Sequence, residues 1–203
     1  MLLSQDEASR VEAAVRAAQA RSSGQIVCVL AHASSHYEIM PFVWSALIAL
    51  LTPWPLLTFT EIPDERIYLI QLTVFFVAML VLTLPRLRLI LTPAHVRRAN
   101  AHRAALEQFM LRGLTHGPER NGVLLYVSLA ERFARVIADE GAAKVIHQRE
   151  WQTIIDQLRG DMAGGAAADA LILASMRCGD LLARHFPPRL DVTHPQIHRF
   201  HMI

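Results

Sequence analysis

Two long uncharged apolar runs sit in the middle of a chain whose flanks are rich in charge, and they restrict the fold more than any other feature. The second run, residues 67–84, reads IYLIQLTVFFVAMLVLTL and has only Gln71 and two threonines as polar interruptions. At ~1.5 Å rise per residue, a helix of that length crosses most of a ~30 Å hydrocarbon layer. The first run, Ile39–Phe59, reads IMPFVWSALIALLTPWPLLTF and also lacks charge. Pro53 and Pro55 remove backbone donors from it and predict a kink or break. Trp44 and Trp54 suit the two membrane interfaces. The runs together predict a transmembrane hairpin. A re-entrant or interfacial first segment is the rival reading. It would leave the two halves of the chain on opposite sides of the bilayer, where they could not pack together.

The short connection, residues 60–66, holds Glu61, Asp64, Glu65 and Arg66, whereas Arg86, Arg88, Arg97, Arg98 and Arg103 follow the second run. Basic residues near span ends stay on the cytoplasmic side. Both chain ends are therefore expected in the cytoplasm, with the protein in the inner (plasma) membrane and the lipid bilayer as a partner. The net charge of +2 is too small to argue for a nucleic-acid partner, and none is expected. Cys28 and Cys178 have no CxxC companion and no metal-type spacing, so they read as buried structural thiols of a reducing compartment. No apolar signal-peptide core opens the chain.

The flanks read as one α/β domain. Ser4-Gln-Asp-Glu7 is a capping-box pattern, and Val11, Ala14, Val15 and Ala18 form a helical apolar stripe. Residues 25–31 (QIVCVLA) and 121–129 (NGVLLYVSL) are apolar enough to be buried central strands. Residues 133–139 form a third strand, joined to the second by the Ala130-Glu131-Arg132 turn and hence antiparallel to it. Thr92-Pro93 opens a helix running to about Leu114, which acts as a right-handed crossover between parallel strands. Helices follow at about 142–147, 148–161 and 166–185. The expected fold is a small mixed-sheet α/β sandwich with an inserted two-helix transmembrane hairpin. Its parts are the first helix and strand in 1–38, the hairpin in 39–91, the rest of the domain in 92–188, and a His-containing tail in 189–203.

Asp139 and Glu140 end a strand, where carboxylates can bind a divalent cation (Ca or Mg) through oxygen. Arg132 and Arg135 are the nearest groups able to hold a phosphate. The bland alternative is a turn and a helix N-terminal charge pair. No phosphate loop, HExxH, GxSxG or dinucleotide fingerprint occurs, and no catalytic residue is assigned. His194, His198 and His201 could ligate a transition metal, but they follow Pro187-Pro188 in a stretch that reads as a tail.

The segment Asn121-Gly122-Val123-Leu124 with Arg132 and Arg135, preceded by Phe109 and Gly113 and followed by Trp151, Gly164-Gly165 and Asp169, resembles the core of TPM domains. This family takes its name from a thylakoid lumen protein, a photosystem II repair factor and a nematode receptor modulator. The resemblance covers about 130 of the 203 residues and implies an α/β sandwich. It also implies one of two roles, since the family includes a plant acid phosphatase as well as repair and assembly factors. One departure matters. The glutamate that family members carry near the end of the third strand aligns with Ile137, which cannot bind an ion or move a proton. Two readings stay open: an interaction, assembly or repair module at the cytoplasmic face that contacts another membrane protein, and a metal-dependent phosphoester hydrolase.

Overall fold

The computed structural model describes residues 3–34, 39–60, 63–84, 87, 92–115, 119–188 and 199–203. The elements, in chain order, are α1 (Gln5–Ala20), β1 (Ile26–Ala31), α2 (Ile39–Leu51), α3 (Pro53–Phe59), α4 (Asp64–Leu82), α5 (Ala94–Leu111), β2 (Val123–Ser128), β3 (Phe133–Ala138), α6 (Glu140–Val145), α7 (Gln148–Ala163), α8 (Ala167–His185) and β4 (Phe200–Met202). The chain forms two compact units, residues 1–34 with 99–203 and residues 35–98.

The first unit is built on a sheet of order β3-β2-β1-β4. β1 and β2 run parallel, with Ile26 opposite Val123 and Ala31 opposite Ser128. β3 returns antiparallel to β2. The sandwich fold, the parallel pairing across the hairpin and the antiparallel last pair all follow the sequence expectation. β1 and β2 are buried along their whole length, which is why they read as unbroken apolar runs rather than alternating ones. One face of the sheet carries Cys28, Leu30, Leu125 and Val136 under α1, α7 and α8. The other carries Val29, Leu124 and Tyr126 under Ala105 and Phe109 of α5.

Local sequence explains the helices that cover the sheet. The Ser4 hydroxyl accepts from the Glu7 amide at 3.2 Å, and Glu7 Oε2 accepts from the Ser4 amide at 2.8 Å, so the capping box forms as read. α1 then buries Val11, Val15 and Ala18. Gly179 of α8 lies against this helix. A Cβ there would meet the Ala18 carbonyl oxygen at 2.7 Å, so only glycine permits this approach. Trp151 and Leu158 of α7 and Leu171 and Leu182 of α8 fill the same core. Each fully buried leucine contributes on the order of 1.5–3 kcal/mol relative to an exposed one.

Cys28 and Cys178 are free and buried in this same core, near enough for the charge of one to act on the other. Loss of hydration pushes both thiols up, Cys178 to about 12. They are inert packing groups, as their isolation in sequence suggested.

The chain end differs from its reading as a tail. Phe200–Met202 is a strand parallel to β1, with Cys28 opposite Phe200. The Cys28 amide donates to the Arg199 carbonyl at 2.8 Å, and the Ile203 amide to the Leu30 carbonyl at 3.0 Å. β1 is central because this short strand covers its second edge. His201 lies there beside Arg112, whose Nη1 is 3.0 Å from a ring nitrogen. His194 and His198 lie outside the described residues.

The second unit contains two helical stretches long and apolar enough to cross a membrane, Ile39–Phe59 and Glu65–Leu82. Only 11% and 6% of their apolar windows are buried, so neither is packed inside its unit as a core helix would be. The first is broken at Thr52 into α2 and α3, with Pro53 opening the second piece, as the two prolines predict. Pro41, Ser45 and Ala49, spaced four apart, form the buried stripe of α2, and small side chains let helices approach closely. Phe42 of α2 meets Phe75 of α4 edge to face at 5.9 Å. The hydroxyls on these helices satisfy themselves on the preceding turn: Ser45 donates to Pro41 O at 2.7 Å, Thr73 to Leu69 O at 2.8 Å and Thr83 to Met79 O at 2.6 Å.

Candidate functional site

The polar groups of the first unit gather at the two ends of the β2–β3 hairpin. The lower end is where β2 begins and β3 finishes. The Asp139 amide donates to the Gly122 carbonyl at 2.8 Å and closes the ladder. Asp139 then caps α6, its Oδ1 accepting from the Glu140 amide at 2.8 Å. Its side chain is only 4% exposed, and a buried carboxylate requires a partner. Arg120 supplies it, donating through Nη2 to Oδ1 at 3.1 Å and through Nε to Oδ2 at 3.3 Å.

The same guanidinium reaches Glu140 through Nη1 at 3.1 Å, and Lys144, one turn further along α6, holds the other Glu140 oxygen at 2.9 Å. The hydrogen bond and charge of Lys144, followed by the charge of Arg120, hold the Glu140 carboxyl below the usual carboxylate range. The hydrogen bond and charge of Asp139 push Arg120 up. The backbone is shaped to make this possible. Arg120 adopts a left-handed φ of 49°, and a Cβ on Gly141 would fall 2.0 Å from the Glu119 carbonyl oxygen. Glu119 turns to the other side, accepting from Asn121 Nδ2 at 2.9 Å and from the Ser23 hydroxyl at 3.2 Å.

The upper end of the hairpin is the turn at 129–132. Here Glu131 accepts from the Ser34 amide at 2.9 Å, from the Ser34 hydroxyl at 3.4 Å and from the Ser128 hydroxyl. The Ser34 and Tyr126 hydroxyls are 3.0 Å apart. Burial pushes the Tyr126 hydroxyl up, opposed by its bond to Ser34 and reinforced by the charges of Glu131 and Glu107.

Of the four residues singled out in sequence, the structure brings Asp139 and Glu140 together and leaves the two arginines elsewhere. Arg132 sits in the upper turn, with φ 49°. The whole of β3 separates it from Asp139, a run of six residues or roughly 20 Å of extended chain. Arg135 is mid-strand opposite Tyr126, and its charge, after burial, pushes His102 of α5 down. The cation that meets the two carboxylates is Arg120, which sequence reading passed over. The hairpin register held the signal, because a turn at 129–132 carries residues 120–122 back beside residues 139–141. Ser34 and Glu131 carried no sequence signal of their own.

A divalent ion at Asp139 and Glu140 would have to displace the guanidinium and ammonium already bonded to them. Among the described residues, no three His, Cys, Asp or Glu side chains lie close enough together to hold a metal. The donor set fits a charge-neutral structural corner better than an oxygen-rich cation site.

No curated protein matches the chain. Among solved structures it is similar to the NMR structure of the BA42 protein from the psychrophilic bacterium Bizionia argentinensis sp. nov. That likeness has a TM-score of 0.61 at 16% identity over 100% of this chain and 97% of the other, and it speaks to fold alone. The family described as the TPM domain matches residues 77–181. The matched stretch takes in α5, the β2–β3 hairpin with its Arg120–Asp139 corner, and most of α8, while β1 completes the same sheet from the far side of the inserted hairpin. The match covers just over half of the 203 residues, and the chain belongs to the TPM-domain family.

Proposed function

We propose that this TPM-domain protein is a membrane-anchored interaction or assembly module, with its α/β domain on the cytoplasmic face and another membrane protein as its partner. The observation that carries the reading is the ion-pair corner. The two carboxylates best placed to serve a metal-assisted hydrolase are already occupied by Arg120 and Lys144. The basic groups such an enzyme would use on phosphate, Arg132 and Arg135, lie away from them. Ile137 in place of the family glutamate points the same way. Anchoring is supported by the exposed apolar surfaces of α2, α3 and α4. Orientation is supported by the excess of arginine after the second apolar run.

The test uses the full chain purified in detergent. Under this reading, Mg²⁺, Mn²⁺ and Ca²⁺ leave the melting temperature unchanged, because an ion that does not bind the folded state cannot stabilise it. Phosphomonoesters are not turned over with any of these ions. Metal-stimulated hydrolysis that survives purification and disappears in Glu140→Gln would overturn the reading in favour of the hydrolase. Orientation is tested separately by an impermeant thiol reagent on intact cells. It should label a cysteine placed at Asp64 and spare one placed at Arg149 on α7; the reverse pattern would refute a cytoplasmic domain.

A further inference from the structure

The two faces of the α/β unit treat their arginines differently. On the layer of α1, α7 and α8 most arginines are paired, Arg10 with Asp169 at 2.6 Å, Arg21 with Asp180 at 2.7 Å, Arg177 with Asp161 at 3.4 Å and Arg159 with Asp156 at 3.8 Å, whereas Arg149 and Arg184 make no ion pair among the described residues. On the α5 side, Arg103 of the helix and Arg135 of β3, whose charge reaches His102, make no ion pair among the described residues. Glu107 is the only acid in α5.

The outward side of α5 also exposes large apolar side chains. Ala101, Ala105 and Phe109 face the sheet. Leu106, Met110 and Leu111 point away from it and are 38%, 71% and 76% exposed. These three account for much of the large apolar surface that the unit exposes, gathered within six residues of one helix. Large apolar side chains interleaved with unpaired basic ones are what an interfacial helix presents to a lipid surface: the apolar groups enter the headgroup boundary and the arginines meet anionic phosphates.

We propose that the outer face of α5, carrying Arg103, Leu106, Met110 and Leu111, docks on an anionic lipid bilayer surface. The proposal rests on the membrane-anchored reading above and extends it, since it gives the domain a second, charge-selective contact with the same bilayer. The chain makes this contact reachable, because only residues 83–93 separate the end of α4 from the start of α5.

The experiment places one environment-sensitive fluorophore on the full chain, at Leu111→Cys or, as a reference, at Val77→Cys on the exposed side of α4. Both native thiols are buried and stay unlabelled. The chain is reconstituted into vesicles of phosphatidylcholine alone or of phosphatidylcholine with phosphatidylglycerol. The Val77 probe should emit at blue-shifted wavelengths in both. The Leu111 probe should shift to the blue only with phosphatidylglycerol, should lose the shift as salt is raised, and should lose most of it in R103Q, whose melting temperature in detergent shows that it is folded. A water-like Val77 probe overturns the anchoring itself. A blue-shifted Val77 with a water-like Leu111 in phosphatidylglycerol overturns the docking face alone. An equal Leu111 shift in both vesicle types, or one that grows with protein concentration, overturns the choice of anionic lipid and gives the face to neutral lipid or to a second copy.

Discussion

Arg120 grips Asp139 through two nitrogens, Nη2 to Oδ1 at 3.1 Å and Nε to Oδ2 at 3.3 Å, although the two residues are nineteen positions apart and the carboxylate is almost wholly buried. The same carboxylate caps α6. Asp139 thus fixes the start of a helix and the end of a strand at once.

Asp139→Ala should lower stability by about 1–2 kcal/mol through the lost cap, with a further loss because Arg120 then faces an apolar methyl. Asp139→Asn keeps a capping oxygen and should cost less. Thermal melts of the full chain in detergent check the order, wild type above Asn above Ala. Equal melting temperatures for the three would mean that the corner carries no stability.

Two glycines separate close backbone approach from helix propensity. At Gly141 an added Cβ meets the Glu119 carbonyl oxygen at 2.0 Å and the Arg120 carbonyl oxygen at 2.8 Å, so the backbone beneath the ion pair must move. At Gly160, inside α7, nothing lies within 4 Å. Gly141→Ala should therefore destabilise the protein strongly. Gly160→Ala should stabilise it by up to about 1 kcal/mol, because alanine favours a helix interior over glycine. The reverse ranking in melting temperature would refute the tight packing of 119–120 on 141.

Sequence and structure agree where a local rule dictates the outcome. Ser4 and Glu7 form their box, Pro53 ends a helix, and the apolar runs around Cys28 and Leu125 become buried parallel strands. They part where a distant partner decides. Phe200-His201-Met202 is too short to show a strand period, and it becomes a strand only because β1, far away in the chain, has an open edge. Pro187-Pro188 ahead of it made the stretch read as a tail instead. At the candidate site the carboxylates of Asp139 and Glu140 were visible as charge at a strand end. Arg120 was not, because its pairing depends on hairpin register and on a left-handed φ that sequence does not display. Arg132 and Arg135 looked close to Asp139 along the chain, but an extended strand carries its two ends apart.

Three buried groups are expected to weaken the fold at alkaline pH. Burial raises the Cys28 and Cys178 thiols and the Tyr126 hydroxyl above their ordinary values. The folded chain therefore keeps these protons at pH values where the unfolded chain has lost them. Stability is complete below the unfolded values, about 8.5 for a thiol and about 10 for a phenol, and falls as pH rises from there toward the folded values. Each thiol contributes a slope of at most about 1.4 kcal/mol per pH unit. Melting temperature should hold steady from pH 7 to about 8 and decline beyond, with a shallower decline in Cys178→Ala. Both thiols should resist a thiol reagent until the chain is denatured. A melting temperature that rises above pH 9 would contradict the sign of this argument.

Glu131 ties the root of the inserted hairpin to the sheet. Its carboxylate accepts from the amide and hydroxyl of Ser34, the last residue of the first segment of the α/β unit, and from the hydroxyl of Ser128 at the end of β2. Three donors on one carboxylate hold the exit of β1 against the β2–β3 turn, and charge-assisted bonds are about twice as strong as neutral ones. Glu131→Gln keeps the shape but replaces one acceptor oxygen with a donor, which then faces a hydroxyl or an amide that also donates. The expected result is faster amide hydrogen exchange at residues 32–34 and 128–132, with exchange in α7 unchanged, because that helix packs on the opposite face of the sheet. Glu131→Asp, with a shorter reach, should fall between wild type and Gln. Unchanged exchange at Ser34 in Glu131→Gln would show that the backbone of β1, rather than this carboxylate, fixes the point where the hairpin leaves the domain.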